Sequence, residues 1–172
     1  MAYLNADSLW IKSKGEEGNT QKGGHYYELG SQSGLAELVV DFGDIGSSAA
    51  IPGSSTGTLG VQIPSGVRIT EVELFVETAF TSGGAATLDV GLIRYDRSTE
   101  LDYNGFVAAL ALTAIDAAGE TTVLRVGSTG AGALIGTTLA NPGIMTVNYG
   151  TAAYTAGKLK IRVKWYRPNT TG

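Results

Sequence analysis

From residue 35 onward the chain is a series of short runs in which apolar and polar residues alternate with a period of two, punctuated by Gly, Pro, Ser and Asn. The last run is unbroken: Leu159, Ile161, Val163 and Trp165 alternate with Lys158, Lys160, Arg162 and Lys164, and Pro168 follows. Across residues 67–80, Val72, Leu74 and Val76 take one face and Glu71, Glu73 and Glu77 the other. Phe75 interrupts that charged face, so the face is expected to be partly covered. Residues 86–95 set Leu88, Val90 and Leu92 against Asp89 and Gly91, and the Ser82-Gly83-Gly84 break before them predicts a β-hairpin with the preceding strand.

Further strands are expected at residues 35–42, 59–63, 121–126, 133–139 and 144–149, with a Gly-rich loop at 127–132 and the Asn141-Pro142-Gly143 turn between the last three. Residues 105–118 are ambiguous, because Phe106, Ala109, Leu110 and Thr113 fall at helical spacing. They are read as one short helix packed across a sheet, with another strand as the alternative. About eight short strands at spacings near ten residues predict a mainly β chain, an antiparallel β-sandwich or jelly-roll-like fold. The regular alternation of strands with longer helices that a parallel α/β domain requires is missing.

Residues 1–34 follow no apolar period. Six glycines (15, 18, 23, 24, 30 and 34) lie there among Ser, Asn, Gln and charged residues. Such a segment buries too little apolar area to offset its ordering entropy by itself. It is read as an extended, Gly-rich N-terminal arm that orders against a partner, joined to a sandwich domain over 35–172. Leu4, Leu9, Trp10 and Ile11, or Tyr26 and Tyr27, are its candidate anchors.

Composition narrows the chemistry. Gly and Pro make up 29 of 172 residues (25 + 4), and only 16% are charged, against about 25% in an ordinary soluble domain. With no Cys there is no disulfide framework, thiolate nucleophile or Cys-based metal site, and with one His no multi-His metal cage. No metal and no cofactor are expected. A net charge of −4 argues against nucleic acid as partner. The longest apolar run, near residues 107–114, is far shorter than the ~20 residues of a membrane-spanning helix. No secretory signal is expected in residues 1–10.

Candidate active-site residues compete with simpler readings. His25 lies in the arm, without the rigid frame that a catalytic triad requires, and no Gly-x-Ser-x-Gly elbow occurs. Gly130-Ala-Gly132-Ala-Leu-Ile-Gly136 misses the dinucleotide fingerprint by one residue. Glu71, Glu73 and Glu77, with Asp89 and Asp96, are the candidate carboxylate pairs of a glycosidase, but they also follow ordinary outward alternation. Asp41, Asp44 and Asp102 match no calcium-loop spacing. More informative is that five of 12 cations, Lys158, Lys160, Arg162, Lys164 and Arg167, lie within ten residues. Beside residues 67–80 they meet Glu71, Glu73 and Glu77 as cross-strand ion pairs; otherwise they form a stripe aimed at an acidic partner.

Four stretches together resemble the head decoration, or cement, proteins of tailed bacteriophages. They are Gln62-Ile-Pro-Ser-Gly-Val-Arg-Ile-Thr-Glu-Val, Glu77-Thr-Ala-Phe-Thr-Ser-Gly-Gly-Ala-Ala-Thr-Leu-Asp-Val-Gly-Leu, Gly132-Ala-Leu-Ile-Gly-Thr-Thr-Leu, and Thr155-Ala-Gly-Lys-Leu-Lys-Ile-Arg-Val-Lys-Trp-Tyr-Arg-Pro. The resemblance spans about residues 58–168 and includes no catalytic motif. It implies a non-enzymatic virion protein, commonly trimeric, made in the host cytoplasm. Such a protein binds the outer capsid surface and clamps neighbouring copies of the major capsid protein. The expected contacts, drawn from the residues themselves, are Leu9, Trp10, Ile11, Tyr26 and Tyr27 of the arm and Lys158, Lys160, Arg162 and Lys164 of the last strand. The alternative is a tail or fibre module that binds a receptor or carbohydrate through Tyr95, Tyr103 and Tyr149.

Overall fold

Alternation assigns the faces, and pairing then assigns the neighbours. The structure is a computed structural model that describes residues 3–4, 10–11, 25–29, 33–47, 61–96 and 99–168. Its strands are β1 (Tyr3–Leu4), β2 (Trp10–Ile11), β3 (His25–Leu29), β4 (Ser33–Asp41), β5 (Gly46–Ser47), β6 (Gln62–Ile63) and β7 (Arg68–Ser82), followed by β8 (Thr87–Ile93), β9 (Glu100–Ala111), β10 (Thr121–Leu124), β11 (Gly143–Gly150) and β12 (Tyr154–Tyr166). Two single 3-10 turns, Phe42–Asp44 and Leu112–Ala114, are the described helical elements. The chain is therefore mainly β, and its two sheets form a sandwich.

Sheet A has the order β1-β2-β3-β4-β12-β7-β10, and sheet B the order β5-β11-β8-β9, with β6 also on β11. In sheet A, β12 lies between β4 and β7, so its apolar residues form rows across three strands. Leu159 sits between Val40 and Val76, Ile161 between Leu38 and Leu74, and Val163 between Ala36 and Val72. All nine are essentially inaccessible to solvent, and each fully buried Val, Leu or Ile contributes about 1.5–3 kcal/mol. Sheet B closes the core with Leu88, Val90 and Leu92 of β8 and Met145 and Val147 of β11.

The hairpin expected between residues 67–80 and 86–95 does not form, because β7 belongs to sheet A and β8 to sheet B. The Ser82-Gly83-Gly84 break is a corner between sheets. It stacks on the next corner, between β11 and β12, where the Ser82 hydroxyl donates to the Ala153 carbonyl at 2.8 Å. Both flanks of β7 are already taken. β12 lies along one side, while β10 and the backbone of Ile115, Glu120, Gly136, Thr137 and Leu139 line the other. The strand expected at 133–139 is therefore replaced by hydrogen-bonded turns that protect the edge of β7.

The short helix expected over residues 105–118 is also replaced. Strand β9 runs to Ala111, and only Leu112–Ala114 makes one 3-10 turn. A bulge breaks the two-residue alternation here. Leu88 pairs with Leu110 and Val90 with Val107, which leaves Ala108 and Ala109 opposite Asp89 alone. The extra residue moves the inward position that follows Val107 to Leu110, while Ala109 and Thr113, which fall at helical spacing with Phe106 and Leu110, are exposed.

Phe80 and Tyr154 close one end of the core, with ring centroids 4.9 Å apart and an edge-to-face angle of 73°. Beneath the Phe80 ring lies Gly157, at φ +135°, where a Cβ would overlap the ring. Replacing Gly157 by Ala should therefore destabilise the fold by about 2–4 kcal/mol. Gly83→Ala, where nothing lies within 4 Å, should change stability by about 0.5 kcal/mol or less. Urea denaturation midpoints of the two variants check this contrast.

Candidate functional site: the charged face of sheet A

The charged residues singled out in the sequence converge on the outer face of sheet A. Because Leu159, Ile161 and Val163 are buried, Lys158, Lys160, Arg162 and Lys164 must leave the opposite side of β12. The same reasoning turns Glu71, Glu73 and Glu77 outward on β7, and Glu37 outward on β4 between buried Ala36 and Leu38. Antiparallel register then sets Arg162 opposite both Glu37 and Glu73, and Lys164 opposite Glu71.

The side chains use this placement fully. Arg162 bridges three strands, donating from Nε to Glu37 Oε2 at 2.8 Å and from Nη1 to Glu73 Oε1 at 3.0 Å. Lys164 Nζ lies 2.5 Å from Glu71 Oε1 and 3.6 Å from Glu73 Oε2. Arg125, just beyond β10, donates from Nε and Nη2 to Glu71 Oε2 at 2.8 and 2.6 Å. Lys158 and Lys160 share Glu77, at 3.0 and 3.5 Å. Phe75 sits in the middle of the ladder, half-buried, in register with Lys160 and Thr121.

These contacts fix the charge states. The Lys164 ammonium, then the Arg125 guanidinium, hold Glu71 below the ordinary carboxylate value of 4.5, and Lys158 does the same for Glu77. Conversely, Glu37 raises Arg162 and Glu71 raises Lys164. A glycosidase acid needs its pKa pushed upward, so Glu71 and Glu77 are shifted in the direction opposite to that role. Among the described carboxylates, Asp102 is raised instead, chiefly by burial, with the Glu100 charge adding to it and a backbone hydrogen bond from Asn104 opposing it.

The remaining candidate residues disperse. Among the described residues, no three His, Cys, Asp or Glu side chains come together as metal ligands. Leu9 lies outside the described residues. The backbones of Trp10 and Ile11 form β2, and those of His25, Tyr26 and Tyr27 lie in β3, with Tyr27 paired to Leu35 and Ile11 to Tyr27. Backbone pairing thus carries sheet A from β4 into the arm. Tyr149 packs edge-on against Tyr154 at 6.4 Å. Tyr95 is exposed in the connection after β8, and Tyr103 lies half-buried in β9, so the three tyrosines sit on three different segments.

Two members of the ladder escaped the sequence reading. Glu37 was legible as the outward charge of an alternating run, whereas nothing local marks Arg125, which reaches Glu71 only because β10 pairs with β7.

No protein-family model and no curated protein sequence matches the chain. Among solved structures, a chain of the "Cyanophage Pam1 capsid asymmetric unit" matches with a TM-score of 0.52 and 18% identity, covering 91% of this chain and 98% of that one. A chain of the "Acidic stable capsid structure of Helicobacter pylori bacteriophage KHP30" matches with a TM-score of 0.48 and 20% identity, over 80% of this chain and 89% of that one. At such identities the Pam1 likeness is one of fold.

The ladder gives stability a definite pH dependence. Glu71 and Glu77 have lowered pKa values in the folded state, so their contribution is complete above the unfolded value and is lost as pH falls through the folded one. Thermal midpoints should hold from neutral pH to about pH 5 and fall below it. Glu71→Gln should lower the neutral-pH midpoint and flatten the acid limb, as read by calorimetry across the pH series.

Proposed function

We propose that this chain is a non-enzymatic structural protein of a phage virion, a decoration protein seated on the outer capsid surface. The observation that carries this reading is the fold it shares with a chain of the Pam1 capsid asymmetric unit, over 91% of this chain and 98% of that one. The four stretches of sequence that resemble decoration proteins support it from a separate direction.

The partner in this reading is the major capsid protein, and the chain acts as a homotrimer, without nucleic acid, membrane or cofactor. Leu9, Trp10, Ile11, Tyr26 and Tyr27 of the arm provide the apolar contacts. Aromatic residues are enriched at such interfaces, where they bury large areas with few rotamers to fix. Lys158, Lys160, Arg162 and Lys164 are already held by glutamates of the same chain. Their part is therefore a balanced polar rim, in which Lys158 and Lys164 keep 40% and 45% of their side-chain surface exposed. Rim charges tune association rate and specificity more than affinity.

Cosedimentation with purified capsids that lack the protein tests the reading. The full chain should bind saturably, and removing residues 1–30 should weaken binding roughly tenfold or more while the sandwich still unfolds cooperatively. Binding to tails or isolated glycans with none to capsids would replace this reading with the fibre-module alternative.

A further inference from the structure

The outer face of sheet B is polar at one place where it is also buried. Asp89, Thr146 and Asn148 are 6%, 0% and 0% exposed. They lie on the side of β8 and β11 opposite the core residues Leu88, Val90, Met145 and Val147. Two successive cross-strand pairs, Asn148 with Asp89 and Gly150 with Thr87, make a square on that face. Three corners carry an amide, a carboxylate and a hydroxyl. The fourth corner, Gly150, carries no side chain.

The hydrogen bonds of this square are incomplete in a specific way. Asp89 Oδ1 accepts the Ala109 N–H at 2.7 Å, which holds the bulge of β9 with Ala109 at φ +48°. Asn148 Oδ1 accepts from the Thr146 hydroxyl at 3.3 Å, while Asn148 Nδ2 has no protein acceptor. Turning the amide over merely transfers the deficit to its oxygen. A buried amide hydrogen without an acceptor is costly enough that native structures satisfy nearly all such groups. At Gly150, a Cβ would stand 2.6 Å from Thr87 Oγ1 and 3.7 Å from Asp89 Oδ2, so polar oxygens border the volume a methyl would fill.

We infer that this notch over Gly150, between buried Asn148 and Asp89 and half-buried Thr87 and Gly150, binds one ordered water molecule, which accepts from Asn148 Nδ2 and donates to Asp89 Oδ2 and Thr87 Oγ1. The chemistry of the corners selects water. A cation would confront the amide hydrogens, an anion would confront the Asp89 carboxylate, and one water supplies both an acceptor and two donors. Seated there, it ties β11 to β8 and, through Asp89, to the bulge of β9. The inference is independent of the virion reading.

A crystal structure of the full chain at about 1.5 Å or better should show an ordered water at ~2.7–3.2 Å from Asn148 Nδ2 and Asp89 Oδ2. Gly150→Ala should displace it and lower the thermal midpoint by about 2–4 °C. Thr87→Val, which keeps the side-chain shape but removes one partner of the water, should lower the midpoint less and weaken the water's density. An Asn148 amide donating directly to Asp89, or a dry notch in the wild-type crystal, would each overturn the inference; should Gly150→Ala not fold, the density in wild type and in Thr87→Val decides.

Discussion

Sheet A depends on the two-sided pairing of β12. Its inward residues complete rows begun by β4 and β7, and its outward cations complete ion pairs begun by the same two strands. The two sides differ in energetic weight. Apolar burial supplies most of the free energy, since a part-exposed ion pair contributes only about 0.2–1 kcal/mol. The charges contribute specificity. A one-residue slip of β12 would turn Lys158, Lys160, Arg162 and Lys164 into the core, where an uncompensated charge costs several kcal/mol.

Once β12 occupies the middle of the sheet, the other strands have restricted choices. β7 has one flank taken and the other lined by β10 and hydrogen-bonded turns, so the following strand must cross to sheet B. Sheet B in turn accommodates a longer β9 against a shorter β8 by bulging, and Asp89 supplies the acceptor for the bulged amide. The place of a buried carboxylate on an otherwise apolar strand thus follows from the geometry of its neighbour.

This also changes what the low charge content means. Among the described residues, the cations of β12 are matched by glutamates of their own sheet, leaving a face whose charges are held in place and largely balanced. Several glycines likewise serve the chain's own packing: Gly34 lies under the Trp165 ring, where a Cβ would come within 2.5 Å of it.

The sequence by itself determined the β class, the two-residue period that sorts each strand's faces, and the separate outward faces of Glu71, Glu73 and Glu77 on one strand and of the basic residues on the last. These are properties of single strands, written in alternation. Which strands are neighbours was decided only by the tertiary structure. Residues 67–80 and 86–95 read as a hairpin because alternation says which side faces the core and is silent about which sheet supplies the partner. Residues 105–118 read as a helix because a bulge, a mismatch between two strands, breaks the two-residue alternation at Ala108 and Ala109. Glu37 could have been recognised locally, whereas Arg125 joins the ladder only through β10, and the polar square around Gly150 exists only where β8 meets β11.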